Sequence, residues 1–188
     1  PPNARLTHTL REDLLKDAEA AGALTGEIAA RTARALEALA TPGTDAVLLT
    51  CSTVGPGAAL ARAPIPVLRV DAALAEAATR NGGHVVVLCA VETTVEPSRQ
   101  IFAEAAARHG ATLAVRLVPH AWAAFRADNP ARYHAIIAEA ADAAFAEGAI
   151  EVALAQASMS GAVALAKTRQ PLASPPVGLA AALAAAGG

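Results

Sequence analysis

The run Ala46-Val47-Leu48-Leu49-Thr50-Cys51-Ser52-Thr53 is written a second time 106 residues later, as Val152-Ala153-Leu154-Ala155-Gln156-Ala157-Ser158-Met159. Each copy is a short aliphatic stretch that stops abruptly at polar side chains. Unbroken aliphatic character suits a parallel strand covered on both faces rather than a half-exposed one. In parallel α/β sheets ligands bind beyond the carboxyl ends of the strands, where these polar tips lie. A duplicated strand with chemistry at its tip therefore points to an α/β architecture whose site is built from two related halves. The copies differ at one decisive place: Cys51 in the first is Ala157 in the second.

The flanking segments carry the repeat further. Residues 25–40 read as a helix: Thr25 can cap it, Glu27 lies in the first turn where the helix dipole favours an anion, and Ile28, Leu36 and Leu39 share a face. Pro42-Gly43 stops it. Residues 131–147 read as its counterpart, stopped at Gly148 ahead of the second strand at 150–155. After the first strand, Pro64-Ile65-Pro66-Val67 leads into an Ala-rich helix through Ala78. After the second, Pro171-Leu172-Ala173-Ser174 leads into another through Ala186, 107 residues downstream. Two blocks at nearly one offset favour a duplicated half-domain.

Between the blocks lies a strand at 84–90, a polar turn Glu92-Thr93-Thr94, a helix at 97–109 ended by Gly110, and a strand at 112–118. The first half shows no counterpart, so a leading strand and helix are expected to be absent ahead of the first block, either because the chain is truncated or because the two halves are not equivalent. Strands alternating with helices of this length imply parallel sheets flanked by helices. Cys51-Ser52-Thr53, Glu92-Thr93-Thr94 and Ala157-Ser158-Met159 all fall at the carboxyl ends of strands.

Composition removes several function classes. A net charge of −2, with 15 scattered Lys and Arg, gives no basic footprint for nucleic acid and no polybasic patch for a membrane surface. The longest apolar stretches fall far short of the roughly 20 residues that span a bilayer. The opening residues carry no charged leader followed by an apolar core. Two cysteines cannot form a disulfide framework, which fits a reduced, cytoplasmic setting. No clustered His and Cys spacing suggests a metal, and no Gly-Lys-Ser loop or Gly-x-Gly-x-x-Gly fingerprint suggests a nucleotide. Gly55-Pro56-Gly57 reads as a turn and nothing more.

The phrase Leu48-Leu49-Thr50-Cys51-Ser52-Thr53 with Gly55-Pro56 resembles the first cysteine motif of the aspartate/glutamate/hydantoin racemase superfamily. Pro66-Val67-Leu68-Arg69-Val70-Asp71 looks like its crossing into a second lobe. Val87-Leu88 through Thr93-Thr94 is similar to its second-lobe substrate-binding turn, and Leu154-Ala155-Gln156-Ala157-Ser158-Met159 to its second cysteine motif. The resemblance covers nearly the whole chain.

It implies two pseudo-symmetric α/β lobes, here 1–75 plus 171–188 and 76–170, with the substrate in the cleft between them. It also implies no metal, pyridoxal phosphate or nucleotide cofactor, and proton transfer at the carbon beside a carboxylate or carbonyl. Carried over by position, Cys51 is the acid/base, and Ser52, Thr53, Thr93, Thr94 and Ser158 bind the carboxylate of a small-molecule substrate. Homo-oligomerisation stays open.

Ala157 departs from the family pattern, because it cannot move a proton. Racemisation at an unactivated carbon needs an acid and a base, so decarboxylation, cis–trans isomerisation or a non-catalytic carboxylate-binding role stay open beside it. The superfamily's one-cysteine decarboxylases resemble the opposite arrangement, with the thiol in the second motif.

Plainer readings stand beside these. A free cysteine is often a small buried hydrophobe, the reading that fits Cys89 inside its strand. Thr93 and Thr94 could cap the following helix. His84, His109 and His134 occupy ordinary solvated places, and His120 reads as a loop residue.

Overall fold

The chain's most apolar segment forms its central strand. Labels follow chain order, and β3 (Gly83–Cys89) alternates as a strand must. Val86 and Leu88 enter one apolar cluster, while Val85, Val87 and Cys89 enter another, and all five are at most 2% exposed. Burial on both faces is what an unbroken Val-Val-Val-Leu run demands.

The computed structural model describes residues 4–187 and divides into two units. One is formed by the chain up to Val70 together with the segment from Gly178, the other by Asp71–Val177.

In the second unit β3 pairs in parallel with β4 (Ala111–Leu117) and β5 (Glu151–Leu154), and β5 pairs in parallel with β6 (Leu172–Ala173). The strand order is β4-β3-β5-β6. One face is covered by α3 (Val70–Thr79) and α4 (Val95–His109), which contribute Leu74, Ala75, Phe102 and Ala105. The other is covered by α5 (Ala121–Arg126), α6 (Pro130–Ala146) and the 3-10 helix Ala157–Leu165, through Ala121, Tyr133, Ile137, Met159 and Ala162. Helices on both faces of a parallel sheet are the α/β architecture that the alternating pattern predicts. Gly110 ends α4 in the left-handed region, at φ 65°, with its N–H on the Ala106 carbonyl.

The first unit holds a two-stranded parallel sheet of β1 (Val47–Leu49) and β2 (Val67–Arg69), in the register Val47↔Val67, Leu48↔Leu68 and Leu49↔Arg69. It also holds α1 (Glu12–Ala21), α2 (Gly26–Glu37), the 3-10 helix Gly55–Leu60 and, from Gly178 onward, α7 (Ser174–Ala186). Thr25 caps α2, its hydroxyl accepting from the Ile28 N–H at 3.2 Å. Arg31 of α2 reaches back to Asp13 and Asp17 of α1. Leu14, Ala18, Ile28 and Val54 form this unit's apolar cluster, and Leu49 and Cys51 pack against it.

Four features depart from the sequence reading. The helix α1, ahead of the first block, was not anticipated. The strands β2 and β6 were not anticipated; they are three and two residues long and lie just after prolines, so no periodicity reveals them. Residues 121–126, to which the sequence assigns no element, form the short helix α5 directly after the loop residue His120. Gly55-Pro56-Gly57 is not a simple turn but opens a 3-10 helix. A Cβ on Gly57 would stand 2.9 Å from the Ala29 carbonyl oxygen and from the Thr32 Cβ, so glycine lets this helix lie against α2.

Candidate active site

Cys51, Ser52 and Thr53 leave the carboxyl end of β1 in the first unit. Thr93 and Thr94 leave β3, and Ala157 and Ser158 follow β5, in the second. β3 and β5 are parallel neighbours, so those two turns share one end of their sheet.

In the first unit Cys51 is half-buried, its side chain against the Leu14, Ile28 and Val54 cluster. A turn follows, closed by the Gly55 N–H on the Ser52 carbonyl at 3.1 Å. The hydroxyls of Ser52 and Thr53 make no hydrogen bond to any other described residue. The guanidinium of Arg69, from the last residue of β2, lies over this turn. A Cβ placed on Gly55 would come within 2.7 Å of Arg69 Nη2 and 2.9 Å of Cζ and Nε. Gly55 does not use the left-handed backbone region, so space for the guanidinium is what glycine provides there. The exit of the loop is pinned by Glu37 of α2, whose Oε1 accepts the Arg62 N–H at 2.6 Å.

The second unit treats the equivalent segment differently. Gln156 stands where the first copy has Thr50, and its amide ties two turns together. Its Oε1 accepts the Ala90 N–H at 2.8 Å, and its Nε2 donates to the Thr94 hydroxyl. The Thr94 hydroxyl in turn donates to the Val91 carbonyl at 2.6 Å. Thr94 therefore does not cap α4; its side chain fixes the turn Glu92–Thr94. Thr93 beside it is exposed and makes no side-chain hydrogen bond to a described residue.

The Ser158 hydroxyl bonds the phenol of Tyr133 at 2.9 Å. Tyr133 is 1% exposed, and burial pushes its phenol up, so this bond satisfies a group otherwise stranded in the core. His134 is not an ordinary solvated histidine. Its Nε2 lies 3.0 Å from the Ser158 carbonyl oxygen, and because a carbonyl only accepts, Nε2 must donate. The imidazole also covers Gly161, where a Cβ would stand 2.6 Å from Nδ1. Asp142 of α6 pins the exit of this loop, accepting the Thr168 N–H at 2.7 Å and the Lys167 N–H at 3.0 Å. Ala157 is exposed at the start of its 3-10 helix.

Cys89 ends β3 with no exposed surface. Its sulfur lies 3.7 Å from the Ser98 hydroxyl, and burial pushes the thiol up, which suits a structural role. His109 pairs with Glu76, whose carboxyl is held down by Arg108 and then His109. Among the described residues no group of three or more His, Cys, Asp and Glu side chains is placed to hold a metal ion. No helix among them is long and apolar enough to cross a membrane.

The Asp/Glu/Hydantoin racemase family model matches residues 10–186. The chain belongs to that family. No protein of curated function matches it. Membership in the racemase family supports a racemase- or isomerase-type activity. Sequence reasoning missed Arg69, Tyr133, His134 and Gln156 as parts of these loops. One signal was available: Gly55 and Gly161 sit at the same 106-residue offset as Cys51 and Ala157.

Proposed function

We propose that this racemase-family chain carries out cofactor-independent proton transfer on a small carboxylate such as an amino acid, with Cys51 as the acid/base. The observation that carries the reading is the first loop: a half-buried thiol at the tip of a parallel strand, followed by two hydroxyls that no described residue engages. As a thiolate, Cys51 takes the proton from the carbon beside the carboxylate. An S–H bond forms as the C–H bond breaks, and the electron pair stays on carbon, delocalised into the carboxylate. Returning the proton, or a solvent proton exchanged onto sulfur, closes the cycle without any external redox partner. Ser52 and Thr53 serve as carboxylate-binding hydroxyls of the first unit; Thr94 and Ser158 act mainly by holding their turns.

The test is α-proton exchange in heavy water, followed by NMR, with aspartate, glutamate and a 5-substituted hydantoin as probes. Exchange that disappears in Cys51→Ala supports the reading. Exchange that persists unchanged in that variant overturns it.

Ala157 favours a second reading, a carboxylate-binding protein without turnover. Tight binding of a probe by a wild-type chain that exchanges none of the three would establish that alternative.

A further inference from the structure

We infer that Arg69 is a specificity-determining residue that binds a carboxylate group of the substrate at the turn following Cys51. The inference rests on the proposed reaction for its catalytic meaning and on the first unit alone for its geometry.

The parallel register pairs Leu49 with Arg69 on the last rung of β1 and β2, and two residues beyond Leu49 the chain reaches Cys51. Strands of a parallel pair leave the sheet at the same end, so the thiol and the guanidinium belong to one end of this two-stranded sheet. Three atoms of the guanidinium lie at nearly equal distance from the Gly55 Cβ position, so the group rests broadside on the Ser52–Gly55 turn. Any side chain at 55 would displace it, and the backbone there has no other need for glycine.

The loop 51–57 contains no acidic side chain, and its two hydroxyls are unengaged among the described residues. A planar cation resting on the turn that follows a strand-end thiol and two hydroxyls matches a carboxylate, which arginine binds through paired N–H donors. Arg69 also has an intramolecular interaction. Five N–H donors are enough to keep that partner and to bind a ligand with the remainder. The second unit offers no counterpart, since the last residue of β6 is Ala173. The chemistry selected is therefore an anionic acid, preferred over a neutral ring such as a hydantoin.

Calorimetric titration with succinate, which cannot turn over by α-amino-acid chemistry, reads the site directly. Arg69→Gln should weaken succinate binding by about tenfold or more, the loss expected when a charged hydrogen-bond donor to the ligand is removed. Arg69→Lys should recover part of it, and Gly55→Ala should weaken binding by pushing the guanidinium off the turn. Cys51→Ala should retain succinate binding. In the exchange assay Arg69→Gln should raise KM for aspartate more than it lowers kcat, and selectivity for aspartate over the hydantoin should fall.

Unchanged succinate affinity in a folded Arg69→Gln protein overturns the inference, as does a wild-type chain that binds no succinate. Equal losses for aspartate and hydantoin overturn it too. Failure of the proposed reaction reads out separately, as exchange that ignores Cys51→Ala while succinate binding still depends on Arg69.

Discussion

The loop after β1 and the loop after β5 share one sequence pattern and differ in where their polar groups are engaged. Both follow a short parallel strand, open a 3-10 helix, carry a glycine four residues after the strand-tip position, and have their exit pinned by a carboxylate from the preceding helix, Glu37 in one and Asp142 in the other. In the second loop Gln156, Ser158 and His134 are all hydrogen-bonded within the unit. The first loop has the thiol, and the hydroxyls of Ser52 and Thr53 have no hydrogen-bond partner among the described residues. Internal satisfaction makes a polar group structural; the unengaged hydroxyls at the first strand tip are the ones the proposed carboxylate site uses. The loop that has the cysteine is also the one whose hydroxyls are unengaged.

The largest expected effect breaks this comparison at its centre. Cys51→Ala should lower α-proton exchange by about 10²–10⁴-fold, the range for removing a positioned acid/base. Ala157→Cys, which restores the missing thiol, should raise exchange into the opposite enantiomer. Chiral chromatography of the recovered amino acid checks both variants. Unchanged exchange in a well-folded Ala157→Cys protein would mean that the second loop has left proton transfer altogether.

The next effect lies in packing. Gly57 corresponds by offset to Val163, a half-buried residue against the second unit's core. Gly57→Ala puts a methyl against backbone and the Thr32 side chain and should destabilise by about 1–3 kcal/mol, as overpacking does. Urea unfolding measures it. A neutral result would show that the 3-10 helix can move off α2.

Smaller effects separate engaged from unengaged hydroxyls. Tyr133→Phe removes the partner of Ser158 and should cost about 1 kcal/mol. Ser52→Ala should stay within about 0.5 kcal/mol, as for a surface change with no partner to lose. Similar losses from both would erase the distinction drawn between the loops.

The smallest effect is a pH dependence. Backbone N–H groups of Thr168 and then Lys167 hold the Asp142 carboxyl below the usual carboxylate range. A carboxylate with a folded pKa below its unfolded value contributes stability above the unfolded value and loses it as pH falls through the folded one. Acidification below about pH 4 should therefore lower the thermal midpoint, and Asp142→Asn should flatten that part of the profile. Parallel profiles for the two proteins would remove Asp142 from the account.

Legibility in the sequence followed the length of each element and the range of each contact. β3 and the helices α2, α4 and α6 could be read directly because burial on both faces or a capped, periodic pattern leaves a local trace. β2 and β6 could not, because two or three residues carry no period. The strand-tip positions were visible through the repeat. The contacts that give them meaning were not: Arg69 over Gly55, Tyr133 on Ser158 and Gln156 on Thr94 join residues far apart in the chain, and composition does not encode their orientation. Thr94 shows the limit well. Beside Thr93 it looks like the same kind of residue, yet one hydroxyl is exposed and the other is locked between Val91 and Gln156.

The division of the chain at Val70 and Gly178 has a consequence for biosynthesis. Asp71–Val177 is one continuous stretch, so every contact of its unit becomes available as soon as that stretch has been made. The other unit is discontinuous: β1, β2 and the Cys51 loop come early, but the helix segment from Gly178 comes more than a hundred residues later. Domains form as units during vectorial synthesis. The unit carrying Cys51 must therefore wait, incomplete, while the other folds, and Gly178, seated against Leu48 and Val70, is where the late segment closes it.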